Sequence, residues 1–171
     1  MRIILPYQRE KAVEYAKKHV FVRDNQFFDF TEFGGNCTAF VSQCLYAANG
    51  IMNPSLWTGW YFYDVLNRSP SWSGVTFFHK FLIQNSSLGP FGKSCDVSEL
   101  ELGDIVQLKF SGYEYFTHTL LVTKMTSSQK QTEKNIFISA NTYDVLDKNL
   151  VQYNYAQARF IKILGVYDWR D

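Results

Sequence analysis

The pattern of apolar and polar positions changes about half-way along the chain. In the N-terminal half, apolar residues recur every three or four positions over residues 7–21 and again from Cys37 to Ala48, which predicts two helices with one buried face each. The Asn-Gly pair at 49–50 is a typical stop for the second helix. A shorter run with the same spacing predicts a third helix over residues 74–84.

The C-terminal half instead alternates between apolar and polar residues, as half-buried β-strands do. Strands are predicted in four segments separated by turns: LELGDIVQLKF, THTLLVTKM, NIFISANTYD and ARFIKILGVYDW. In the last segment we expect Phe160, Ile163 and Val166 to lie in the core. Two or three N-terminal helices followed by an antiparallel sheet of four to six strands define an α+β fold.

Length and composition are those of an ordinary globular domain. The chain has 171 residues, 46% hydrophobic and 19% charged, which suits one domain over residues 1–171 with a full core. The net charge is +1 with Lys and Arg scattered along the chain, so we expect no nucleic-acid partner. The three cysteines fit neither a zinc spacing nor a disulfide framework, and no motif for a metal or another cofactor is present, so neither is expected.

The N-terminal run RIILPY is broken by Pro6 and is too short for a signal-peptide core or a membrane span. We therefore expect neither in this chain, and we expect a monomer. Action at a bacterial cell wall or outside the cell would require a longer parent protein or a delivery system. Otherwise we expect a cytoplasmic protein.

Cys37 is the candidate nucleophile. It follows two glycines and Asn36 and starts the second predicted helix, where unpaired backbone N–H groups and the positive end of the helix dipole favour the thiolate. The alternative is a buried thiol in a tight turn. Cys44 falls within the apolar stripe of the same helix and is expected in the core, whereas Cys95 is expected in a polar loop.

A nucleophilic cysteine needs a base within hydrogen-bond reach, and the chain has three histidines. His19 and His79 lie in predicted helices and are expected at the surface. His118 starts an apolar strand after an aromatic turn, so it points either into the sheet or into a cleft at the edge of the sheet. Its pairing with Cys37 makes His118 the candidate base.

A third polar residue would orient the imidazole. Asn141 ends the strand after His118 and could lie beside it, although a turn residue at a strand end is the alternative. Asp144 is the alternate third residue. The oxyanion could be met by the Cys37 backbone N–H and by the Asn36 side chain.

Aromatic residues make up 18% of the chain. This allows either an aromatic-rich core or a ring-lined groove for a sugar or peptide. Trp57, Trp60 and Trp72 are the candidate groove residues, with core packing as the alternative for each.

Several segments resemble, in the right order, the blocks of a bacterial amidase domain family of the papain-like superfamily, related to CHAP-type cell-wall hydrolases. GGNCTAFVSQCL is similar to the family's DCTNFVSQ signature, YQREKAVEYAKKHV to its opening helix, WTGWYFY and SWSGVTFFHKFL to its tryptophan-rich middle, LELGDIVQL to its Leu-x-x-Gly-Asp strand and THTLLVT to its histidine-bearing strand. The similarity covers about residues 7–150. Asn36 stands where the family usually has Asp, and Asn141 where it commonly has His.

The resemblance implies a papain-like fold in which the Cys37 helix packs on the sheet that carries His118. It implies a cysteine amidase or peptidase in which Cys37 attacks an amide, His118 moves the proton and Asn141 orients the imidazole. The implied substrate is peptidoglycan, either its stem peptides or the amide that joins them to the glycan, as for bacterial or phage endolysins. Acyl transfer by the same Cys–His pair and a catalytically inactive cell-wall binding module remain as alternatives.

Overall fold

Four helices pack against a seven-stranded antiparallel sheet in the computed structural model of the chain, which describes residues 1–126 and 129–170. The predicted α+β class is confirmed. The expected number of strands was too low by at least one, and there is one more helix than the three expected. Within the described residues, no helix has both the length and the apolar character needed to span a membrane.

The helices are α1 (Arg9–His19), α2 (Cys37–Asn49), α3 (Pro70–Ser73) and α4 (Val75–Gln84). Helix α2 is apolar over most of its surface because it lies in the middle of the molecule, between the other helices and the sheet. It ends at Gly50, whose φ of 69° is left-handed, so the predicted Asn-Gly stop is confirmed.

The strands are β1 (Arg2–Leu5), β2 (Gly89–Cys95), β3 (Ile105–Lys109), β4 (His118–Met125), β5 (Ile136–Ala140), β6 (Val145–Asn149) and β7 (Gln157–Trp169). They run in the order β1-β7-β3-β4-β5-β6, and β2 also pairs with β7. The long strand β7 has three partners. Strand β3 pairs with residues 157–161 of β7, β2 with residues 160–167 and β1 with residues 166–169.

The two faces of the sheet carry separate apolar clusters. Ile105 of β3 and Leu121 of β4 are paired and pack with the helices, whereas their neighbours Val106 and Leu120 are also paired and pack on the opposite face. By this alternation His118, two residues before Leu120, projects from the face opposite the helices. The register therefore decides on which side of the sheet the candidate base stands.

A buried ion pair joins the start of α1 to the sheet. The carboxylate of Asp104 has no exposed surface and accepts a hydrogen bond of 2.7 Å from Arg9 and one of 2.9 Å from the backbone N–H of Ile163. Burial raises the pKa of Asp104, and Arg9 opposes that rise. The Gly-Asp pair in the LELGDIVQL segment thus has a structural role, since Asp104 connects α1, β3 and β7.

Candidate active site

A two-glycine turn brings the chain into α2. Gly34 and Gly35 have left-handed φ values of 94° and 105°, which side-chain-bearing residues rarely adopt. A Cβ on Gly35 would also lie 3.2 Å from Oγ1 of Thr142. The same hydroxyl accepts a 2.6 Å hydrogen bond from the Asn36 backbone N–H. The turn is therefore held against the β5–β6 connection, and Cys37 becomes the first residue of α2.

The Cys37 side chain is only 8% exposed. Its Sγ lies 3.9 Å from the Thr38 hydroxyl and 4.0 Å from the Thr117 carbonyl oxygen. Thr38 in turn shares a 2.8 Å hydrogen bond with the hydroxyl of Thr119 in β4. Two threonines therefore fasten the first turn of α2 to the start of β4, which fixes the thiol beside that strand.

Burial and backbone amides act in opposite directions on the thiol. Burial raises the pKa of Cys37, and the backbone N–H groups of Thr119, Thr38 and Cys37, with the Thr38 hydroxyl, oppose the rise. Burial is the larger effect, so the thiol is protonated at neutral pH. The same amides are in place to stabilise a thiolate once it forms.

Cys37 and His118 line one cleft with a cavity volume of about 460 Å³. The cleft lies where the glycine turn, the β3–β4 connection and the β5–β6 region meet. Its other lining residues are Gly34, Gly35, Phe110, Tyr113, Thr117, Thr142, Tyr143, Val145, Lys148 and Tyr153. Apart from one lysine, these residues carry aromatic, aliphatic or hydroxyl side chains, or none.

His118 is the first residue of β4, and its ring centroid lies 6.2 Å from that of Tyr153. Burial lowers the pKa of His118 to about 4, with a further lowering by the charge of Lys148. Among the described residues, no hydrogen bond joins Cys37 Sγ to the imidazole. The thiol and the ring therefore share the cleft as two neutral groups that would have to approach each other for proton transfer.

Asn141 and Asn36 bond to each other inside the protein. The Asn36 amide donates to Asn141 Oδ1 over 3.0 Å, and its own Oδ1 accepts from the Phe30 backbone N–H over 3.0 Å. Asn141 donates to the Val20 carbonyl oxygen over 2.9 Å and to Asp144 Oδ1 over 3.3 Å. Both asparagines are buried and are not among the residues that line the cleft. Their contacts fix the segment before Cys37 and do not include the His118 ring.

Asp144, the alternate third residue, pairs with Arg23. The guanidinium donates to both Asp144 oxygens over 2.9 and 3.0 Å and also contacts Asp29 at 3.0 Å. This ion-pair group ties the segment after α1 to the β5–β6 turn. Asp144 therefore braces the same turn as Asn141, and it too is absent from the residues that line the cleft.

The structure corrects the expectation for two of the three tryptophans. Trp60 and Trp72 have no exposed surface, and their rings pack 5.1 Å apart in the core beside α2. The Trp60 indole N–H donates a hydrogen bond of 2.9 Å to the Ser42 hydroxyl. Trp57 is 77% exposed but lines a different cleft, together with Phe77 and Lys80.

Lys148 and Tyr153 are among the cleft residues that were not predicted from the sequence. The Lys148 ammonium lies 4.0 Å from the centre of the Tyr153 ring, and its charge contributes to the lowered pKa of His118. Lys148 lies on β6, which is short and mostly polar, and Tyr153 follows a single 3-10 turn after it, so neither residue lies in a segment where apolar and polar positions alternate clearly. No local signal in the sequence marks them, since only the pairing of β6 with β5 brings Lys148 to the cleft.

The chain belongs to the family described as "Putative amidase domain", whose sequence profile matches residues 6–164. The amidase family predicted from the order of sequence blocks is thereby confirmed. The chain is also similar to "Uncharacterized protein YhbB" of Bacillus subtilis (strain 168), with 31% identity over 144 residues that cover 81% of this chain and 42% of the relative. It thus spans less than half the length of that relative. No solved structure matches the chain.

Proposed function

We propose that the chain is a cysteine-dependent amide hydrolase of the papain-like type, with Cys37 as nucleophile and His118 as base. The observation that carries the proposal is the shared cleft, which is lined by the first residue of α2 and the first residue of β4. A cysteine at a helix start with a histidine at hand is the arrangement that nucleophilic thiol chemistry needs. Membership of the amidase family supports an amide as the bond attacked.

In this proposal His118 takes the thiol proton as Sγ of Cys37 attacks the carbonyl carbon of the substrate. The proton then passes to the leaving amine, and water hydrolyses the thioester with His118 again as base. The Cys37 backbone N–H, which bonds to no other described residue, is the donor that could meet the oxyanion. The Asn36 amide is already engaged with Asn141, so we assign the oxyanion to the backbone.

For the third role we propose Asn141 as a positioning residue. It bonds to Asn36, the residue before the nucleophile, and to the segment that follows α1. Through these contacts it would hold Cys37 at the cleft, although it makes no contact with the imidazole. Asp144 would assist by keeping Asn141 and Arg23 in place.

For the substrate we propose peptidoglycan, either its stem peptides or the amide that joins them to the glycan. The support is the resemblance to CHAP-type cell-wall hydrolases, together with a cleft whose aromatic and hydroxyl lining suits a peptide with polar and apolar parts. An amine in place of water would turn the same thioester chemistry into acyl transfer.

Digestion of purified muropeptides, followed by mass spectrometry, tests this proposal. The wild-type protein should produce fragments that have gained one water, and both Cys37→Ala and His118→Ala should fall below about one-tenth of that rate. Cys95→Ala is the matched control and should remain active, because Cys95 lies on β2 outside the cleft. No product from the wild type, or undiminished product from Cys37→Ala, would overturn the proposal. Binding to intact wall without any product would favour the binding-module alternative.

A further inference from the structure

The cleft has an uncompensated positive charge. Among its described lining residues, Lys148 is the one with a side chain charged at neutral pH, since burial keeps His118 neutral with a pKa of about 4. None of the lining residues is Asp or Glu. A cleft of this charge attracts an anionic group more strongly than a neutral or cationic one.

Lys148 is held at a defined place in the cleft. It lies on β6 opposite Ile138 of β5, which directs it to the face of the sheet that also carries His118. Its ammonium lies 4.0 Å from the centre of the Tyr153 ring. Because an ammonium has three N–H donors and the ring covers one side of it, donors remain that can bond to an anion. Within residues 1–126 and 129–170, no carboxylate lies within ion-pair distance of Lys148. The ammonium is therefore a half-buried cation without a protein counter-ion.

We propose that Lys148 binds a carboxylate of the substrate, so that the preferred amide substrates carry a free carboxylate near the bond that is cleaved. This inference rests on the hydrolase activity proposed above and adds the chemical class of its substrate. A lysine acts as a point charge, so charge should matter more than the exact geometry of the anion.

Binding of a carboxylate has a consequence for the base. The titratable side chains that line the cleft with His118 and Lys148 are Cys37 and three tyrosines, at positions 113, 143 and 153. None of them is a carboxylate. A bound carboxylate would offset the charge of Lys148, so the proton affinity of His118 would increase when the correct substrate is present.

Muropeptides and the same muropeptides with their carboxyl groups converted to carboxamides provide the test. The wild type should hydrolyse the free acids about 10- to 100-fold better in kcat/KM, mainly through KM, as expected for one charge-assisted hydrogen bond. Lys148→Met should remove most of this preference, and Lys148→Arg should retain it. Lys124→Met is the matched control, because Lys124 also lies over an aromatic ring, 5.2 Å from that of Phe137, but outside the cleft. Equal rates for acids and carboxamides in the wild type, or an unchanged preference in Lys148→Met, would overturn the inference.

A binding measurement separates this inference from the hydrolase proposal. In Cys37→Ala protein, the free-acid muropeptides should bind more tightly than the carboxamides, and bound acid should raise the pKa of His118 measured by NMR. With Lys148→Met added, both effects should disappear. Preferential binding of acids that depends on Lys148, without turnover by the wild type, would support the carboxylate site while contradicting the hydrolase. Equal binding of acids and carboxamides alongside normal turnover would support the hydrolase and contradict the carboxylate site.

Discussion

At the scale of single residues, the site combines a buried thiol with a half-buried imidazole. Burial raises the pKa of Cys37 and lowers that of His118, so each effect favours the neutral form. A thiolate–imidazolium pair formed before substrate arrives would need the reverse order of pKa values. The structure thus favours proton transfer during the reaction, with the backbone amides at the start of α2 ready for the thiolate.

Alkylation by iodoacetamide tests this protonation state. Iodoacetamide reacts with thiolates, so labelling of Cys37 in the substrate-free protein should rise about tenfold per pH unit and continue to rise past pH 9. Peptide mapping by mass spectrometry distinguishes Cys37 from Cys95, whose pKa burial raises to about 11. Cys44, which has no exposed surface, should stay unlabelled in the folded protein. A rate at Cys37 that is already constant from about pH 5 upwards would reveal a preformed ion pair.

Asn141→Ala should lower the free energy of unfolding by about 2–4 kcal/mol, because it leaves the Val20 carbonyl and the Asn36 amide buried without their partner. Urea denaturation measures the change. Asn154→Ala is the control, and since this asparagine is exposed its effect should stay within about 0.5 kcal/mol. If Asn141→Ala instead kept full stability and shifted the pH profile of hydrolysis, the residue would be orienting His118 directly.

The residues of the site differed in how far the sequence could reveal them. Cys37 could be placed at a helix start from the glycines before it and the apolar spacing after it. The contacts of Asn141 could not be foreseen, because its partners Val20 and Asn36 come from a segment more than a hundred residues away. For the same reason the sequence could not decide whether Trp60 and Trp72 are buried, because their exposure depends on the packing of distant segments and not on the neighbouring residues in the sequence.

At the scale of secondary-structure elements, the register of β4 determines the geometry of the site. Thr119 faces the helices and bonds to Thr38 of α2, so His118 must face the other way. The thiol comes from the helix side of the sheet and the imidazole from the opposite side, and they can share a cleft because both lie where β4 begins. A shift of one residue in the pairing of β3 and β4 would exchange these two faces.

Arg9→Met tests the ion pair that joins α1 to β3 and β7. It should cost about 3–5 kcal/mol at pH 7, because the buried Asp104 carboxylate would lose its counter-ion. The folded-state pKa of Asp104 is already raised and Arg9 holds it down, so the variant should raise it further. A raised carboxyl pKa destabilises the fold above that pKa and ceases to do so once the group is protonated. The loss of unfolding free energy in Arg9→Met, relative to the wild type, should therefore become smaller as the pH falls.

Urea denaturation of wild type and Arg9→Met at pH 7 and at pH 5 measures this dependence. Lys93→Met is the control, because it breaks the exposed pair with Glu99 and should have little effect at either pH. A deficit of the same size at both pH values would show that packing of the Arg9 side chain, and not the charge of Asp104, carries the stabilisation.

The sequence predicted those elements whose periodicity is strong. Helices α1 and α4 and strands β3, β4 and β5 lie within the predicted segments, whereas α2 and β7 each extend one residue beyond theirs. Helix α2 begins at the predicted residue. The missed strands β1, β2 and β6 are short or contain Gly and Pro, and few of their residues are fully buried, so apolar and polar positions do not alternate clearly along them. Ile163 and Val166 lie in the core as predicted, whereas Phe160 is only partly buried.

At the scale of the whole molecule, the sheet separates two apolar clusters. The cleft lies at the edge of the sheet where α2 and β4 begin. The nucleophile comes from α2 on the helix side of the sheet, whereas His118, Lys148 and Tyr153 lie on the opposite side. This division explains why the catalytic pair could be proposed from the sequence while the rest of the cleft could not. Local patterns indicate helix and strand starts, but only the assembled sheet shows which side chains meet there.

The central claim is that Cys37 forms a covalent bond with the substrate. Rapid acid quenching of the reaction with muropeptides, followed by peptide mapping by mass spectrometry, tests it most directly. We expect an acyl group on the peptide that contains Cys37, removable by hydroxylamine as a thioester is, and absent from Cys37→Ala. Full turnover by a folded Cys37→Ala protein, or an acyl group carried by Cys95 instead, would contradict the account, because Cys37 is the one cysteine among the described residues that line the cleft.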